Sequence, residues 1–64
     1  GGNMEEFYVE LLIAYTDKTW DTEIVYLSEE DYHSENFEEI ASKKFLSNYK
    51  KDNIALVSLY SMHG

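Results

Sequence analysis

The chain has 64 residues, no cysteine, and thirteen acidic residues against five basic ones, for a formal net charge of −8. That length holds one small domain, and the lack of cysteine excludes disulfides and thiolate metal sites. All five basic residues are lysines (Lys18, Lys43, Lys44, Lys50, Lys51), so the cationic footprint of a nucleic-acid binder is missing and direct binding to DNA, RNA or an anionic membrane is not expected.

Gly1-Gly2-Asn3 ahead of Met4 reads as a remnant of recombinant expression, which leaves residues 4–64 as a single domain. No apolar run approaches the roughly 20 residues of a membrane span and no signal-peptide pattern is present, so a cytoplasmic protein is expected. In so small a domain the stabilisation from buried area roughly cancels an ordering entropy of about 1.5 kcal/mol per residue. Association is a common remedy, and it raises the expectation of a homodimer.

The first element is the run Phe7 to Tyr15, FYVELLIAY. Phe7, Val9, Leu11, Ile13 and Tyr15 form one alternating set; Tyr8, Leu12 and Ala14 form the other, broken only by Glu10. Apolarity in both sets predicts a central strand covered on both faces. Thr16 to Thr19 is a polar break read as a hairpin loop around a type I turn. The second strand spans Trp20 to Leu27, with Trp20, Thr22, Ile24 and Tyr26 on one side and Asp21, Glu23, Val25 and Leu27 on the other. Neither side is purely polar, as expected of an edge strand partly covered on both faces, and its acids discourage edge-to-edge pairing.

From Ser28 the texture becomes acidic, then amphipathic. Phe37, Ile40, Ala41, Phe45 and Tyr49 fall on one stripe at helical spacing, with Ser34 as N-cap and Ser28 as a second candidate for an earlier start or a preceding turn. Acids at its N-terminal end and lysines at its C-terminal end suit the helix dipole. The helix is expected to end near Asn48 to Lys51. The last strand is Ile54 to Met62, with Ala55, Val57 and Leu59 on one face and Ile54, Leu56, Ser58 and Tyr60 on the other. His63-Gly64 is expected to fray.

The order strand, strand, helix, strand with a right-handed crossover gives an α+β fold, a single ββαβ domain with a three-stranded antiparallel sheet in order 2-1-3 and one helix on one face. The helix covers Phe7, Val9, Leu11, Ile13, Val25, Leu27, Ala55, Val57 and Leu59. The opposite face carries Tyr8, Leu12, Trp20, Ile24, Tyr26, Leu56 and Tyr60, with nothing in the chain to cover it. Rigid amphipathic aromatics of this kind are enriched at interfaces, so these seven residues are the candidate dimer or partner surface.

Little else carries chemistry. His33 beside Glu29, Glu30 and Asp31 lacks the ordered oxygen spacing and glycine of a calcium loop and reads as a solvated acidic loop. Glu10 with Glu23 or Asp21 would form a carboxylate pair across the hairpin, but acid–base work needs a walled pocket that so small a fold has little room to build. No catalytic, cofactor-binding or metal-ligating residue is assigned, and an enzyme is not expected. The acids Glu29, Glu30, Asp31, Glu35, Glu38 and Glu39 form the candidate surface for a basic partner.

In length, acidity and element order the chain resembles small phage-encoded inhibitor proteins, among them the phage inhibitors of uracil-DNA glycosylase, dimers that imitate the charge of DNA. That resemblance implies an inhibitor or host-modulating role, with the host cytoplasm as the place of action; no site residue is carried over from it. The expected function is a small acidic module that engages a basic, nucleic-acid-handling host protein. The alternatives are a structural homodimer with no other ligand, and a small-molecule binder at a dimer seam.

Overall fold

The computed structural model describes residues 7–63. The expression remnant expected at 1–3 and Gly64 lie outside the described residues; His63, expected to fray with Gly64, is instead the last residue of the third strand, paired with Tyr8 and stacked on its ring. The elements run β1 (Tyr8–Tyr15), β2 (Trp20–Tyr26), α1 (Glu29–Tyr32), α2 (Phe37–Ser47) and β3 (Ile54–His63). The sheet has the order β2-β1-β3, with β1 antiparallel to both neighbours. The α+β architecture and strand order therefore follow the sequence reading.

The alternation along β1 sets the core. Val9, Leu11 and Ile13 are fully buried, and Val25, Leu27 and Ala41 join them. Phe37, Ile40 and Phe45 of α2 close over this layer, with Tyr32, Val57 and Leu59 packed at its margins. The other set on β1 is only half-buried: Tyr8, Glu10, Leu12 and Ala14 keep partial access to solvent. Among the described residues β1 is thus covered on one face, not two. Strand β2 is covered only where α2 reaches it. Val25 is buried, whereas Asp21 and Glu23, on the same side of the strand, are exposed.

The hairpin closes through Lys18 N–H donating to Tyr15 O at 3.0 Å and Tyr15 N–H donating to Thr19 O at 2.8 Å. Lys18 takes the left-handed conformation, with φ of 74°. Asp17 Oδ1 organises the turn by accepting from Thr19 N–H at 3.0 Å and from the Thr19 hydroxyl at 2.5 Å.

The helical region is split where a single helix is expected. Ser28 caps α1 by accepting from Asp31 N–H at 3.1 Å. Ser34 accepts from Asn36 N–H at 3.1 Å, so it shapes the turn between the helices and is not the cap of α2. Asn36 holds that N-cap position without a side-chain bond. Ser34, by satisfying the Asn36 donor locally, offers the chain an alternative to a continuous helix. At the far end Lys44 Nζ donates to Tyr26 O at 2.6 Å, tying α2 to β2.

Strand β3 departs most from simple alternation. Its pairing with β1 shifts between Glu10 and Leu11 and again between Ala14 and Tyr15. The first shift leaves Tyr60 as an extra residue, so that Tyr60 and Ser61 together oppose Glu10. The second leaves Ala55 unpaired. These are β-bulges, which insert one residue and change the face presented beyond it. Ala55, expected in the core, is exposed. Ile54, expected on the outer face, pairs opposite Tyr15 and packs against the core. Among the described residues no helix is long and apolar enough to cross a membrane.

Candidate binding surface: the uncovered sheet face and the acidic helices

The register lays out the uncovered face in four rows from β2 through β1 to β3. They are Trp20–Ala14–Leu56, Thr22–Leu12–Ser58, Ile24–Glu10–Ser61 and Tyr26–Tyr8–His63. Six of the seven residues assigned from sequence thus share one face, and Tyr60 lies at its margin as the extra residue of the bulge. Trp20 and Tyr60 are 67% and 61% exposed; Leu56, Ile24 and Tyr26 are also exposed, while Tyr8 and Leu12 are half-buried. Neighbouring apolar side chains left open together mark interaction surfaces, whereas single exposed ones do not.

One end of this face is aromatic. Tyr8 stacks on His63 with ring centroids 4.7 Å apart and an interplanar angle of 13°, and it meets Tyr26 at 5.5 Å. Beside them stands the one carboxylate of the central strand. Glu10 Oε1 accepts from the Ser61 hydroxyl at 3.4 Å, and Ser61 Oγ lies 2.8 Å from His63 Nε2. Serine, histidine and a carboxylate meet here, but serine stands in the middle. Nucleophilic catalysis needs histidine between the other two, taking the serine proton and oriented by the acid. The cluster is a hydrogen-bonded surface group.

The carboxylate pair considered across the hairpin does not form. Glu10 pairs with Ile24 on the outer face, while Glu23 pairs with Leu11 and Asp21 with Ile13, so both lie on the helix side. Adjacent strand positions point to opposite faces, and the odd offset between these acids separates them.

The acidic surface lies on the other layer. Glu29, Glu30 and the half-buried Asp31 make up three of the four residues of α1; Glu35 sits in the connecting turn, and Glu38 and Glu39 open α2. The six carboxylates fall within eleven residues that contain no lysine. Glu39 pairs with Lys43 one turn later at 3.3 Å, an exposed contact. Glu35, Glu38 and Glu39 border one shallow depression together with Ser42. His33 Nδ1 lies 3.0 Å from Glu29 O, and its ring meets Phe7 at 5.5 Å, so the histidine closes α1 against the sheet. Among the described residues no three of His, Asp and Glu come together closely enough to hold a metal ion.

An open groove of about 500 Å³ between β2 and the second half of α2 was not foreseen from sequence; Glu23, Val25, Tyr26, Lys44, Phe45 and Tyr49 line it. Tyr49, past the end of α2, stacks on Phe45 at 5.3 Å and donates to Asn53 Oδ1 at 2.6 Å. Nearby, partial burial pushes the Tyr15 phenol above its ordinary value, with Tyr49 adding to the effect.

Comparison with family models, with curated proteins and with solved structures found no match to this chain.

Proposed function

We propose that the protein is a binding module, not an enzyme, acting in the cytoplasm on a basic protein surface of the kind that handles nucleic acid. The observation that carries this reading is the run of six carboxylates displayed by α1, the connecting turn and the first turn of α2. Only one of the six, Glu39, is engaged by a lysine among the described residues. Duplex DNA presents one negative charge per roughly 1.7 Å of axis, and surfaces built to receive it concentrate lysine and arginine. A run of mostly exposed carboxylates on two short helices and the turn between them offers such a surface a competing anion. Complementary charge of this sort raises association rate and selects the partner. The exposed sheet face gives the module a second, apolar contact region, with a homodimer as the competing use of that face.

The test is affinity capture with wild-type protein and with a variant carrying Glu35→Gln, Glu38→Gln and Glu39→Gln. The expected partner is a basic nucleic-acid-handling protein, held by wild type, largely lost with the variant, and displaced by added duplex DNA. The module itself should not bind that duplex near physiological salt. A partner retained equally by the variant and indifferent to DNA would refute the reading.

A further inference from the structure

We propose that the uncovered sheet face is the seat for a lysine or arginine of the partner protein, with Glu10 as its anion and the surrounding apolar side chains as its bed. The inference rests on the reading of the partner as basic and assigns it a second, sheet-side contact. Glu10 occupies the middle strand of the face, opposite Ile24 on one side and the Tyr60–Ser61 bulge on the other. It is half-buried, and its described contact is the 3.4 Å bond from Ser61. No lysine serves it. Lys18 is at the hairpin tip, Lys43 and Lys44 are on α2, Lys50 and Lys51 follow it, and the one ion pair among the described residues is Lys43–Glu39.

A carboxylate amid tyrosines, isoleucine and leucine suits a guanidinium or ammonium on two counts. The acid accepts charge-assisted hydrogen bonds, and the exposed Ile24 opposite it gives the methylene stem of the cation an apolar bed. Bulges commonly stand where a strand re-aims a side chain beside a site, and the bulge here places two residues of β3 opposite Glu10.

Charge argues against a second copy as the occupant. Each copy would bring a formal charge of −8 and an uncompensated Glu10 to the seam. A basic partner removes that objection, because its cation neutralises Glu10.

The experiment is an amide NMR titration of the intact protein with a blocked pentapeptide bearing arginine at its centre, leucine at both ends and serine between. In an extended peptide the arginine and both leucines share one face. The proposal predicts saturable shifts at Tyr8, Glu10, Ile24 and Ser61, weakened about tenfold both by Glu10→Gln and by exchanging the arginine for neutral citrulline. An unchanged spectrum elsewhere in the Glu10→Gln protein establishes that the variant is folded. Equal affinity for the citrulline peptide, or no saturable shift at these amides with millimolar peptide, overturns the proposal. So does a wild-type dimer in sedimentation that Trp20→Ser dissociates, since the face then belongs to a second copy. The variant of Glu35, Glu38 and Glu39 should take the peptide as wild type does, so this inference and the function it rests on fail separately.

Discussion

Leu11 and Leu12 are neighbours on the central strand, yet the fold gives them opposite fates. Leu11 is fully buried between β2 and β3 and beneath α2, whereas Leu12 is half-exposed on the uncovered face. Truncating a fully buried leucine to alanine removes its transfer energy and leaves a cavity, for a cost of about 3–5 kcal/mol. At the usual range of roughly 0.05–0.15 kcal/mol per residue, the total stability of a domain this size is about 3–9 kcal/mol. Leu11→Ala should therefore leave the protein marginal or unfolded at room temperature. Leu12→Ala forfeits only part of a transfer energy and creates no cavity, so it should cost about 1 kcal/mol or less, a few degrees of melting temperature. Urea unfolding followed by circular dichroism measures both, with the slope on denaturant checking that each variant still unfolds cooperatively. Comparable losses at the two positions would refute the assignment of one covered and one open face.

The hairpin supplies two further expectations. Hydrogen bonds from the Thr19 hydroxyl and then the Thr19 amide hold the Asp17 carboxyl below its ordinary value. Folding therefore favours its ionised form, so the stabilisation is present above the unfolded-state pKa and is lost as pH falls through the lower folded one. NMR titration of Asp17 should find a depressed midpoint that rises in Thr19→Val, and a midpoint indifferent to that change would dismiss the hydroxyl as its cause. Lys18 holds a left-handed conformation that glycine adopts without steric cost. Lys18→Gly is expected to stabilise the protein by about 0.5–1 kcal/mol, seen as a higher urea midpoint, and a lower midpoint would count against a strained turn.

Sheet order was legible because the run Phe7–Tyr15 is apolar in both alternating sets and the right-handed crossover puts β3 beside it, although only the set of Val9, Leu11 and Ile13 is covered. The open face was legible for the same reason: Tyr8, Leu12, Trp20 and Ile24 follow by parity once the covered set is known. Parity failed on β3. Bulges at Ala55 and Tyr60 arise from how β3 meets β1, and neither residue type announces one. The sequence reading therefore exchanged the faces of Ile54 and Ala55, and it did not anticipate Ser61 beside Glu10. The split of the helical region depended on local competition at Ser34, whose hydroxyl bonds the Asn36 amide between the two helices. The groove beside Tyr49 reflects where α2 stops relative to β2, a length relation between elements distant in sequence.

The central claim, that the carboxylates of α1 and α2 meet a basic protein surface, is tested most directly by the association rate of the captured partner across ionic strength. Exposed charges are screened over about 8 Å at physiological salt, so steering by these acids should fade as salt rises. The account predicts that the on-rate falls with salt, that replacing Glu35, Glu38 and Glu39 by glutamine lowers it further, and that the off-rate changes little. An on-rate indifferent to both salt and the substitutions would contradict it.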